Sequence, residues 1–143
     1  MLTIQDELAR VFAARELNRL DLLRTCAAAS EQGLKQGEIA HRLSISQPEV
    51  SRILRKVKRF PELLERTPRE VILDFHAEKI THDQMLEELK AWQYTFGEDA
   101  EPSNPEGSLT HGSWDDIVDA VHRDLIDMQD YEELSRAVHM RAA

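Results

Sequence analysis

The fold is decided by residues 34–56, Leu34-Lys35-Gln36-Gly37-Glu38-Ile39-Ala40-His41-Arg42-Leu43-Ser44-Ile45-Ser46-Gln47-Pro48-Glu49-Val50-Ser51-Arg52-Ile53-Leu54-Arg55-Lys56. The pattern predicts two short helices joined by a tight turn. Ile39 and Leu43 are the apolar residues of the first helix, and Ala40 supplies the small residue that a crossing helix needs. Ser44 and Ile45 fit a turn closed by an apolar plug. Ser46 followed by Glu49 is the arrangement that caps orphan N–H groups at a helix start. The second helix then places Val50, Ile53, Leu54 and Val57 inward at spacings of three and four. Ser51, Arg52, Arg55, Lys58 and Arg59 fall on or beside its open face.

This spacing resembles the helix-turn-helix transcriptional regulators, including phage-type repressors and region 4 of sigma factors. The likeness covers about 23 residues and is densest over residues 45–54. One departure is Ser44, where many relatives carry glycine. Serine there costs up to a few kcal/mol if its φ is positive. The resemblance implies that the N-terminal part of the second helix enters the major groove of double-stranded DNA. Matching positions put Ser46, Gln47, Ser51, Arg52 and Arg55 near base edges, with Gln47 suited to adenine and Arg52 to guanine. Lys35, His41, Arg42, Lys56, Lys58 and Arg59 are then phosphate contacts, which give affinity without sequence information.

Net charge of −9 over 143 residues argues against a polyanionic partner until its distribution is considered. Residues 1–60 hold 11 Lys/Arg against 7 Asp/Glu, a net of +4. Residues 61–143 hold 7 against 20, a net of −13. Such asymmetry assigns the halves different partners: nucleic acid to the first, a protein partner or solvent to the second.

Outward from the decisive stretch, the whole chain is expected to be all-α: a helix-turn-helix domain over 1–60, then an acidic helical part of two hairpins, 61–92 and 113–143. Strand alternation and hairpin-turn dipeptides are nearly absent. Further helix starts are marked by Thr3 with Asp6, Thr67-Pro68-Arg69-Glu70, Thr81 with Gln84, Ser113 with Asp116, and Asp127 with Asp130. Residues 3–32 fit one long helix or two shorter ones with Asn18 capping the second, and Gly33 closes the region. Residues 93–112, with Pro102, Pro105 and three glycines, are expected to be a linker or extended loop. The two hairpins also echo each other. Val71-Ile72, His76, Ile80 and Glu87-Glu88-Leu89 recur as Ile117-Val118, His122, Ile126 and Glu132-Glu133-Leu134 at an offset of 46, then 45.

Other chemistry finds little footing. The histidines (His41, His76, His82, His111, His122 and His139) form no His-x-x-x-His pair and the single Cys26 stands alone, so no metal or other cofactor is expected. Adjacent carboxylates such as Asp115-Asp116 and Glu132-Glu133 diverge by about 100° on a helix, and are expected to be caps and solvated faces. No phosphate-binding glycine loop occurs, so enzyme activity is not expected. Trp92, Tyr94 and Phe96 either cover an edge of the core or recognise a partner, while Trp114 anchors the last hairpin. No apolar run of 18 residues occurs, the first residues lack the form of an export signal, and the cysteine has no mate, which together predict a cytoplasmic protein without membrane contact.

The expected function is sequence-specific DNA binding by a dimeric repressor, with Ile4, Leu8, Val11 and Phe12 as one candidate dimer seam. The acidic residues 61–143 suit dimerisation instead, or a protein partner, as in an autoregulating antitoxin. The competing expectation is a protein-interaction module or inhibitor acting through that acidic half. The two are separated by whether Arg52 and Arg55 are tied up by carboxylates of their own chain.

Overall fold

A computed structural model describes residues 2–97 and 112–142. All regular structure among them is helical: α1 (Ile4–Glu31), α2 (Gln36–Leu43), α3 (Gln47–Arg59), a single 3₁₀ turn (Pro61–Leu64), α4 (Pro68–His76), α5 (His82–Ala91), α6 (Asp115–His122) and α7 (Met128–Ala142). The expected linker 93–112 is described at its two ends only; residues 98–111, including His111, lie outside the described residues. No helix among the described residues is long and apolar enough to cross a membrane.

The chain divides into two compact units, Arg15–Glu65 and a second made of the residues up to Ala14 with those from Arg66 onward. Helix α1 is unbroken over 28 residues, so Asn18 lies within it and caps nothing.

In the first unit, Cys26 of α1, Ile39 and Ala40 of α2 and Val50 of α3 form a small core. Leu22, Ala29, Leu34, Leu43, Ile45, Ile53 and Leu54 pack around it. Helix α1 ends where Gly33 takes φ 91°, which lets the Leu34 N–H return to the Ala29 carbonyl at 3.1 Å. The 3₁₀ turn packs on α3, and the Arg24 guanidinium fixes it by donating to the Leu64 carbonyl at 3.0 Å.

In the second unit, α4 packs on α5 and α6 on α7, and the two pairs meet through α4 with α6 and α5 with α7. The core holds Val71, Ile72, Met85, Leu86, Leu89, Ile117, Ala120, Ile126 and Leu134. The echo seen in the sequence extends to the backbone. After α4, Ala77, Glu78 and Lys79 donate to Leu73, Phe75 and Asp74; after α6, Arg123, Asp124 and Leu125 donate to Asp119, Val121 and Ala120. Each of these six residues has its counterpart 46 positions away. The middle residue is left-handed in both turns, Glu78 at φ 65° and Asp124 at φ 59°. Each turn leads into a side-chain cap, Thr81 on Gln84 and Asp127 on Asp130.

Polar side-chain contacts complete this unit. The Arg66 guanidinium meets Glu88 at 2.9 Å, Asp74 at 2.9 Å and Glu70 at 3.3 Å, and the Glu88 hydrogen bond strengthens its hold on the proton. His82 Nε2 lies 2.7 Å from Asp130 Oδ2, and His76 Nε2 donates to the Leu125 carbonyl at 2.7 Å. Glu70, Asp74 and Asp130 are buried, so the expectation that the acids only cap helices and face solvent is corrected: these three are packed inside beside Arg66 and His82. Burial of carboxylates requires such partners, because an unpaired buried charge is costly.

The start of α6 differs from its sequence signature. The residue capping it is Trp114, and the Ser113 hydroxyl is turned away to accept from the Thr95 N–H at 2.8 Å. Thr95 answers by accepting the Ser113 N–H on its hydroxyl at 2.9 Å and the Trp114 N–H on its carbonyl at 3.0 Å. Gly112 permits this close approach, since a Cβ there would lie 2.6 Å from the backbone of residues 95–97. Tyr94 stands edge-on to Trp114 with ring centroids 4.9 Å apart and donates its hydroxyl to the Leu89 carbonyl at 2.6 Å. Burial pushes the Tyr94 phenol well above its ordinary range. Trp92, Tyr94 and Trp114 thus cover the edge of the core, while Phe96 stays 59% exposed.

Candidate nucleic-acid interface

The candidate interface is built on α2, the turn after it, and α3. Helix α2 ends because Ser44 enters the left-handed region at φ 57°, ψ 42°, which turns the chain so that the Ile45 N–H bonds the Ala40 carbonyl at 3.1 Å. Ser46 then caps α3, its hydroxyl oxygen accepting from the Glu49 N–H at 3.2 Å. Pro48 sits in the first turn, where a missing N–H costs nothing. Val50 and Val57 are buried and Ile53 and Leu54 half-buried, so α3 is held along the face that carries them. Cys26 backs this contact; burial pushes its thiol up.

At about 100° per residue, Arg52, Arg55, Lys56 and Arg59 fall within one arc opposite Val50, Ile53 and Val57. All four are exposed. With Phe60 they outline an open depression of about 470 Å³. The Arg59 guanidinium carbon lies 5.2 Å from the centre of the Phe60 ring, and the ring is 42% exposed. Gln47, Ser51 and Lys58 form a second strip beside the first, nearer the buried side; Gln47 and Lys58 are exposed and Ser51 is half-buried. The Gln47 side chain lies along α2, since a methyl at Gly37 would meet its Oε1 at 3.7 Å.

The remaining site residues come from α2 and its edges. Lys35 is exposed at the N-cap of α2 and makes no side-chain cap there. His41 and Arg42 are exposed in its last turn. Arg42 pairs with Glu38 one turn back at 3.3 Å, an exposed contact that a phosphate can displace at little cost. Ser46 spends its oxygen on the cap and keeps its O–H for a donor role. Phe60 is the member of the basic cluster that sequence reasoning missed. Its only signal is an aromatic residue directly after Lys58-Arg59.

Elsewhere, several cations meet acids, Arg66 three carboxylates, Lys90 Glu133 at 2.5 Å, Arg123 Asp119 at 2.9 Å and Arg19 Glu16 at 3.4 Å, while Arg10, Lys79 and Arg136 stand singly without one among the described residues. Arg52, Arg55, Lys56 and Lys58 have no carboxylate partner among the described residues. No three His, Cys, Asp or Glu side chains gather as a metal site among the described residues. Compared with family models, curated proteins and solved structures, the chain shows no significant match to any of them.

Proposed function

We propose that α2 and α3 form a helix-turn-helix that binds double-stranded DNA in a sequence-specific manner, and that the protein is a dimeric transcriptional repressor rather than an enzyme. The supporting observation is the exposed cationic face of α3, whose Arg52, Arg55, Lys56 and Lys58 meet no acid of their own chain among the described residues. A helix held by Val50 and Val57 presents that face as a rigid unit. In this reading the first turns of α3 enter the major groove, where Gln47, Ser51, Arg52 and Arg55 reach base edges and Ser46 borders them. Lys56, Lys58 and Arg59 at the end of α3, with Lys35, His41 and Arg42 around α2, hold phosphates. The acidic second unit binds a protein partner, as an autoregulating antitoxin does.

The test is a binding titration at two salt concentrations, using the protein's own upstream region and a scrambled duplex of equal length. The native duplex should bind more tightly and lose affinity steeply as salt rises. Arg52→Ala should cost roughly 1–3 kcal/mol on the native duplex and relax its sequence choice. Lys58→Ala should weaken both duplexes alike. Equal losses from both variants on both duplexes would remove Arg52 from base reading. No binding at low salt would transfer the function to the acidic unit and a protein partner.

A further inference from the structure

We propose that the outer face of the first turns of α1, formed by Ile4, Leu8 and Val11, is the seam of an antiparallel homodimer. Ile4 is 62% exposed, Leu8 64% and Val11 56%. They follow at spacings of four and three, so they share one side of the helix. A single exposed aliphatic residue is ordinary; three in register over successive turns form an interaction surface. The helix is not short of a core of its own, because Ala13, on another face, is fully buried. More than half of each of the three side chains is left for a further contact.

The occupant is a second copy because the stripe is self-complementary in charge. Glu7 borders it near its start and Arg15 closes its far end, exposed over 63% of its side chain with Glu16 at 3.8 Å. Set antiparallel with Leu8 against Val11 of the second copy, the helices place Arg15 of one opposite Ile4 of the other. At 1.5 Å per residue, Glu7 then lies about 4.5 Å along the axis from that arginine. The contact repeats on both sides of the dyad, as an isologous interface requires. A parallel copy would leave Glu7 and Arg15 of the other helix eight residues, about 12 Å, apart along the axis. Three aliphatic side chains a side fall short of the roughly 20–30 residues a side of a stable interface, so the free protein dimerises weakly and with concentration. The dyad also supplies the two-fold symmetry that a helix-turn-helix uses on paired half-sites, and in that respect the inference rests on the function proposed above.

The experiment is sedimentation equilibrium of the full chain without DNA, from micromolar to near-millimolar concentration. The average mass should climb from monomer toward dimer. Leu8→Glu should weaken association tenfold or more while its circular dichroism and unfolding midpoint match the parent, because Leu8 is exposed; Leu8→Met should restore association. On oxidation, the Leu8→Cys, Val11→Cys double variant should form a covalent dimer and neither single variant should. A monomer at every concentration, a dimer that Leu8→Glu leaves intact, or cross-linking by Leu8→Cys alone would each overturn the seam. Since DNA is absent, a failure of the DNA-binding proposal leaves this result untouched: a dimer that binds no duplex separates the two.

Discussion

Ser44 offers a test in which a single atom group is removed from a strained position. Its φ of 57° and ψ of 42° are left-handed, and its side chain is exposed. A non-glycine residue in that region is held at a cost of roughly 1–2 kcal/mol. Replacing it with glycine removes the Cβ that causes the strain and breaks no packing. Against this, glycine widens the unfolded ensemble, worth about 0.4–1 kcal/mol in the other direction. The balance is a stabilisation of the Arg15–Glu65 unit by about 0.5–1 kcal/mol, from. Ser44→Val should move the other way by about 1 kcal/mol or more, because a β-branched side chain at positive φ is a genuine outlier. Urea unfolding followed through this unit resolves both. With a slope near 2 kcal/mol per molar, the glycine variant should shift the midpoint upward by roughly 0.3–0.5 M. The turn keeps its shape, so DNA affinity should stay within about twofold, below the 1.4 kcal/mol of a tenfold change. A glycine variant less stable than the parent, or a valine variant equal to it, would show that the turn is not strained at Ser44.

Two further outcomes follow from the surroundings of Cys26 and Glu133. Cys26 is buried and its thiol is pushed up, so a thiol reagent should not react with the folded protein and should react at the rate of opening of the Arg15–Glu65 unit; rapid labelling under native conditions would place that side chain elsewhere. Glu133 is held below its ordinary value of 4.5 by the hydrogen bond from Lys90. Because its folded value is the lower one, the stability it contributes is present above the unfolded value and is lost as pH falls through the folded value. Carboxyl chemical shifts should show Glu133 titrating low in the parent and returning toward 4.5 in Lys90→Met.

What was legible in the sequence is what depends on neighbours along the chain. The caps on Thr3, Ser46, Thr67, Thr81 and Asp127 were predicted and each is made. The condition on Ser44 was readable too, since a helix that must end at Leu43 and return through Ile45 needs a left-handed residue between them. The echo between residues 71–89 and 117–134 was visible as a pattern, and its backbone meaning, a left-handed residue at Glu78 and at Asp124, was not. What escaped depends on partners distant in sequence. Ser113 carries a cap signature, yet Thr95, 18 residues earlier, takes its hydroxyl. Asp130 carries a cap acceptor's composition, yet His82 meets it from 48 residues away and it is buried. Phe60 has no periodic partner to announce it. Spacing on α3 could group Arg52 with Arg55; whether an acid of the chain would neutralise them is a question of tertiary structure.

That last distinction sets a magnitude for the salt dependence. A cation already paired within its protein must give up that partner before it displaces a counterion, so it contributes less than a whole charge to the slope. Among the proposed phosphate contacts, Lys35, Lys56, Lys58 and Arg59 have no carboxylate partner among the described residues, and Arg42 has only the exposed contact to Glu38. Five cations per protomer, at about 0.9 per phosphate, give a slope near −4.5 for log affinity against log salt. A dimer seated on two half-sites doubles it to about −9. The Leu8→Glu variant, with the same α3 and no seam, should return the slope of one protomer. A slope near −4.5 in the parent itself would show one helix-turn-helix on the duplex at a time. A slope near zero would mean that the exposed cations of α3 meet no phosphate at all, and the cationic face would then need an acidic protein surface to account for it.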